Sequence, residues 1–121
     1  MPIYKSILDL ANGARTRIRE VSAEHAGFPG LNGVVFIDVR EEVEFRGGHI
    51  PGAIPLPRNE IEERIAQVIP DKTTAILVYC AIGHRSAIAA DALQALGYTN
   101  VVSLDGGLKA YESLEATRNV A

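Results

Sequence analysis

The chain has 121 residues, and twelve Lys and Arg against fifteen Asp and Glu leave a formal charge of −3. With 47% hydrophobic and 22% charged residues, this is the composition of one globular domain, which excludes a disordered chain and two ordinary domains. The longest apolar run, Ala75 to Ile82, is far too short to span a membrane, and mild acidity without a Lys/Arg cluster argues against nucleic acid as a partner.

In chain order, residues 1–17 read as an N-terminal extension. Tyr4, Ile7, Leu8 and Leu10 have rough helical spacing, and Asn12-Gly13 reads as a stop or turn. Ile18 to Val21 is a short extended segment, Ser22 is placed to cap a brief helix through Ala26, and Gly27 to Gly33 is turn-rich. Gly33 to Val39 is a β-rich apolar run that suits a strand buried on both faces. Ala53 to Leu56 is extended and fenced by prolines. Glu60 to Ile69 carries apolar residues at 61, 65, 68 and 69, an amphipathic helix ended by Pro70. Thr74 to Tyr79 is a second all-apolar strand. Ser86 to Leu96 reads as a helix with Ser at its start and Gly97 past its end. Asn100 to Leu104 is a further strand, and Gly107 to Leu114 a closing helix. This alternation predicts an α/β fold with a mainly parallel central sheet flanked by helices on both faces. Ligands in such sheets sit beyond the carboxyl ends of strands, and the strand ending at Tyr79 delivers Cys80 there.

Residues 80–86 read C-A-I-G-H-R-S, between a buried strand and a helix. Gly83 permits a positive φ. The amides of Ala81, Ile82, Gly83, His84, Arg85 and Ser86 can converge into an anion-binding nest. The helix start adds unsatisfied N–H groups and the positive end of its dipole. Arg85 adds a permanent cation with a planar fork of donors. Each feature favours negative charge on the Cys80 sulfur, so the loop predicts a reactive thiolate with the sulfur facing the crevice.

This loop resembles the active-site loop of rhodanese-fold sulfurtransferases. The likeness extends to Asp38-Val39-Arg40, Glu44-Phe45, and Gly48 through Ile54, and to Gly97-Tyr98, Asn100-Val101 and Leu104 through Gly107. It implies a rhodanese-like domain over residues 18–121. It further implies a persulfide relay: Cys80 attacks the sulfane sulfur of thiosulfate or a persulfide donor and passes it to cyanide or a thiol, a thioredoxin-like protein among them. Arg85, with His84 second, would hold an anionic donor. The resemblance places Asp38, Arg40, Glu44 and His49 in a supporting shell, with Glu44 as a partner of Arg40 and His49 bonded to backbone. Tyr111 stands where the family commonly has Trp.

Phosphatases of the same fold family have five residues between Cys and Arg. Here four intervene, with no acid among them, which ranks sulfur transfer above phosphate chemistry. The other readings are a Cys-dependent phosphatase or arsenate reductase and a non-catalytic binding or redox-sensing module. No ligand spacing suggests a metal, no fingerprint suggests a nucleotide, and no cofactor is expected. Arg58 and His25 read as solvated. The N-terminus shows no basic-then-apolar leader, and one cysteine cannot form an internal disulfide, so the expected compartment is cytoplasmic.

Overall fold

The structure, a computed structural model, describes residues 6–118. Tyr4 of the predicted first helix and positions 119–121 of the predicted domain lie outside the described residues. The elements are α1 (Ile7–Arg15), β1 (Arg19–Val21), α2 (Ala23–Ala26), a 3-10 turn (Leu31–Gly33), β2 (Val35–Asp38) and α3 (Glu42–Arg46). There follow β3 (Ile54–Pro55), α4 (Ile61–Val68), β4 (Ile76–Tyr79), α5 (His84–Ala95), β5 (Val101–Leu104) and α6 (Gly107–Arg118).

The strands form one sheet in the order β1-β5-β4-β2-β3, and every neighbouring pair is parallel. Parallel neighbours need crossovers, and the crossover helices cover both faces. The apolar runs of β2 and β4 follow from that burial. On one face Ile37, Ile76 and Val78 pack with Ile61 and Ile65 of α4 and Leu93 of α5. On the other, Phe36, Leu77 and Tyr79 pack with Leu104, Leu108 and Tyr111. Each fully buried Ile or Leu contributes about 1.5–3 kcal/mol. This is the α/β architecture expected from the sequence.

Three local expectations need correction, and one further helix is present. Helix α1 runs through Asn12-Gly13 to Arg15 and is not stopped there. Ala11 and Ala14 bury against Ala87 of α5, and that close packing outweighs the roughly 1 kcal/mol propensity cost of a helical Gly. Helix α5 begins at His84, with Gly83 as its N-cap at φ 107°, so Ser86 lies inside the first turn and is not the cap. Helix α3 was not anticipated; its five residues are closed by Glu41 and Glu44, whose carboxylate accepts from the Glu41 amide at 3.0 Å. Ser22 makes no side-chain cap, and its hydroxyl pairs with His25 Nδ1 at 2.8 Å instead. Among the described residues no helix is long and apolar enough to cross a membrane.

Candidate active site

Strand β4 lies between β5 and β2, so Cys80 emerges from the middle of the sheet at its carboxyl edge. Its sulfur is tucked under the following loop, and the residue is only 1% exposed. The expectation of a sulfur facing an open crevice is corrected here: the chain folds back over it at Gly83. Two of the six predicted amides reach Sγ, those of Gly83 at 3.2 Å and Ser86 at 3.3 Å. The amides of Ala81, Ile82, His84 and Arg85 make no hydrogen bond to it.

Three loop carbonyls are bound away from the sulfur. Cys80 O accepts from Leu108 N at 2.8 Å, and Ala81 O from Lys109 N at 3.1 Å. Gly83 O accepts from Ala87 N and Ser86 Oγ, both at 3.3 Å, and from Arg15 Nη2 at 3.2 Å. In a planar trans peptide the C=O and the next N–H point in opposite directions. Tethering these carbonyls therefore fixes the amides of Ala81, Ile82 and His84 the other way. The first turn of α6 performs that tethering for residues 80 and 81. Its approach demands Gly107, where a Cβ would meet Cys80 O at 2.5 Å.

A buried hydroxyl pair backs the sulfur. Ser86 Oγ lies 3.5 Å from Sγ and 2.9 Å from Ser103 Oγ on β5. A hydroxyl hydrogen rotates to suit its neighbour, so Ser86 can accept from a thiol or donate to a thiolate.

Arg85 is closed onto Glu44 by bonds of 2.6 and 3.1 Å. This corrects the expected pairing of Glu44 with Arg40. Arg40 instead engages Asp38 at 2.8–3.2 Å and the Gly48 carbonyl at 2.8 Å. Asp38 is fully buried, and its hydrogen bonds raise the Arg40 guanidinium further above its ordinary value. That pair braces the turn after α3. Arg85 is likewise raised, chiefly by its bond to Glu44. His49 bonds the Phe45 carbonyl through Nδ1 at 2.8 Å and stacks on the Phe45 ring with centroids 3.6 Å apart. His84 Nδ1 lies 3.1 Å from Arg15 Nη2.

Tyr79 donates no charge to this arrangement: burial pushes its phenol well above the ordinary value, and its oxygen accepts from Ile50 N at 3.1 Å. Tyr111 packs edge-on against Phe36 and donates to the Gly27 carbonyl at 3.0 Å. It borders an apolar cavity of about 390 Å³ shared with Phe28, Pro51 and Leu108, which Cys80 does not line. Among the described residues no cluster of His, Cys, Asp and Glu is arranged to hold a metal ion.

The loop thus gathers Cys80, Gly83, Ser86 and Arg85, while Asp38, Arg40 and His49 stay in the surrounding frame. Two polar residues of the site escaped sequence reasoning. Ser103 carried a signal, a lone hydroxyl in the apolar strand V-V-S-L, where an inward-facing polar group needs a partner. Arg15 carried none, being 68 positions from the carbonyl it holds.

A model of the Rhodanese-like domain family matches residues 23–114. The thiosulfate sulfurtransferase PspE of Escherichia coli is 43% identical over 74 residues, 61% of this chain and 70% of its own. The thiosulfate sulfurtransferase GlpE of Pseudomonas savastanoi is 32% identical over 98 residues, 81% of this chain and 91% of its own. Among solved structures, a Rhodopseudomonas palustris protein of unknown function, described as a possible tyrosine phosphatase, superposes with a TM-score of 0.80 at 26% identity over 95% of both chains. Sheet, loop and relatives agree: the chain belongs to the rhodanese-like domain family and is a rhodanese-type enzyme.

Proposed function

We propose that Cys80 carries sulfane sulfur as a persulfide, taken from thiosulfate or a persulfide donor and passed to cyanide or a thiol. The observation that carries this reading is the pair of amides aimed at Sγ, Gly83 and Ser86, with the carbonyls of Cys80, Ala81 and Gly83 bound elsewhere. Such a setting suits an anionic sulfur both before and after loading. The names of the thiosulfate sulfurtransferase relatives support it.

The Cys80 thiolate attacks the outer sulfur of thiosulfate. The new S–S bond forms as the old one breaks, and its electron pair leaves with sulfite. The acceptor, cyanide or a thiolate, then attacks the terminal sulfur of the persulfide and returns Cys80 as thiolate. No proton needs to move in either half, which agrees with a loop that holds no Asp or Glu. Two covalent half-reactions predict ping-pong kinetics. Arg85 and His84 flank the approach, and a donor anion competes with Glu44 for the Arg85 guanidinium. Thiosulfate, glutathione-type persulfides and a thioredoxin-like acceptor all fit this chemistry. A lone cysteine suits a reducing compartment, so the reading places the protein in the cytosol.

The test is intact mass after incubation with thiosulfate. A gain of one sulfur atom, lost on cyanide addition and absent in Cys80→Ser, is the expected result. No gain with any sulfane donor sinks the proposal. Hydrolysis of an aryl phosphate that depends on Cys80 would favour the phosphatase reading instead, against which the four-residue spacing from Cys80 to Arg85 speaks.

A further inference from the structure

Arg15 lies on α1, before the span matched by the family model, yet it touches the Cys80 loop directly. Its Nη2 donates to the Gly83 carbonyl at 3.2 Å and to His84 Nδ1 at 3.1 Å. The guanidinium is itself held: Nε bonds Glu20 at 3.2 Å and Nη1 bonds Asn12 Oδ1 at 3.1 Å. The helix that carries it is fixed to α5 by Ala11 and Ala14 against Ala87, and by a two-pronged bond from Arg17 to Asp91 at 3.0 and 2.8 Å. Arg15 is therefore set against the loop from a rigid base.

Two consequences follow from donor chemistry. Arg has only donors, so His84 Nδ1 must accept, and the neutral ring then carries its proton on Nε2. The tether on Gly83 O helps orient the Gly83–His84 peptide, and so the His84 amide, as the α6 amides orient the Cys80–Ala81 and Ala81–Ile82 peptides. The same glycine donates its own N–H to Sγ.

We propose that Arg15 is a positioning residue of the Cys80 site, and that α1 is thereby part of the site. It holds the Gly83–His84 peptide, which adjoins the peptide whose N–H reaches the sulfur, and sets His84 as an Nε2–H donor beside Arg85. The kinetic part of this inference rests on the sulfurtransferase reading; the tautomer part does not.

The test uses Arg15→Met, which keeps the aliphatic stem and loses every donor, and Arg15→Lys, which restores one cationic donor. The first readout is the 15N shift of the His84 ring near pH 8, where imidazoles are mostly neutral. Wild type should show the Nε2–H form, Arg15→Met a mixture of tautomers, and Arg15→Lys a partial return. The second readout is the rate of Cys80 sulfur loading from thiosulfate, with iodoacetamide alkylation beside it. Losing hydrogen bonds from a charged donor should slow both about tenfold in Arg15→Met, in the maximal rate more than in KM. A brace that served stability alone would lower the melting temperature and leave the tautomer in place. An unchanged tautomer in Arg15→Met overturns the proposal, as do loading and alkylation rates within about twofold of wild type. If Arg15→Met fails to fold, the same criteria apply to Arg15→Ala, which also loses every donor. If wild type takes up no sulfur from any donor, the sulfurtransferase reading fails, and tautomer and alkylation still decide the role of Arg15.

Discussion

The guanidinium of Arg85 and the carboxylate of Glu44 face one another across the mouth of the Cys80 loop, joined by bonds of 2.6 and 3.1 Å. They come from positions 41 residues apart, and each is about a third exposed. The cation that the loop offers an incoming anion is thus already partly answered. Arg85→Ala should weaken use of thiosulfate by about tenfold, and use of a neutral sulfur donor much less, because a charge-assisted bond is lost only in the first case. Glu44→Gln keeps the helix cap and releases Arg85, so it should lower KM for thiosulfate. Steady-state kinetics with the two donor classes check both. Equal losses for both donors in Arg85→Ala would remove its anion-holding role.

The same pair predicts a pH dependence of stability. The Arg85 hydrogen bonds hold the Glu44 carboxyl at about 2, against an ordinary 4.5, with partial burial opposing and the Glu41 amide assisting. A folded value below the unfolded one means that the contribution is full above the ordinary value and is lost as pH falls toward 2. Urea unfolding of wild type and Glu44→Gln should therefore show a gap that narrows as the solution is acidified through that window. A gap that widened there would contradict the pairing.

Asp38 is fully buried and depends on Arg40 for its charge partner. Arg40→Ala strands that carboxylate and frees the Gly48 carbonyl, which should cost about 3–5 kcal/mol. Replacing both partners by apolar residues of similar volume should cost less than the single change. Chemical denaturation of the two variants measures the difference.

Gly107 is the narrowest point beneath the loop. At φ 60°, an added Cβ would stand 2.5 Å from Cys80 O and 2.6 Å from Ala81 O, both backbone atoms that cannot swing aside. Gly107→Ala should cost more than about 2 kcal/mol and should displace the loop from α6. Loss of Cys80 sulfur loading at a temperature where the fold survives is the expected outcome.

Much of this was legible in the sequence. The apolar runs ending at Asp38 and Tyr79 identify the two most enclosed strands, and the glycine after Leu96 marks the end of α5. The loop from Cys80 to Ser86 could be found from its glycine, arginine and position after a strand. The remainder depended on contacts that local pattern does not encode. Helix α3 is five residues with four of them charged or exposed, too short for a periodic signal, and its cap uses Glu41 where Ser or Thr is the usual sign. Asn12-Gly13 stays helical because Ala11 and Ala14 fit against α5, a tertiary gain invisible from residues 7–15 alone. Glu44 pairs with Arg85 because Asp38 and Gly48 already satisfy Arg40, and only the folded chain shows which carboxylate reaches which guanidinium.

The anchoring of the Cys80 and Ala81 carbonyls by Leu108 and Lys109 has a consequence for biosynthesis. The seven-residue motif leaves the ribosome well before the segment that shapes it. A nascent chain that stops short of position 108 contains Cys80 but lacks the amides that hold the carbonyls of residues 80 and 81. Those two peptides therefore take their finished orientation only after α6 has docked, so the loop around Cys80 is completed late in folding.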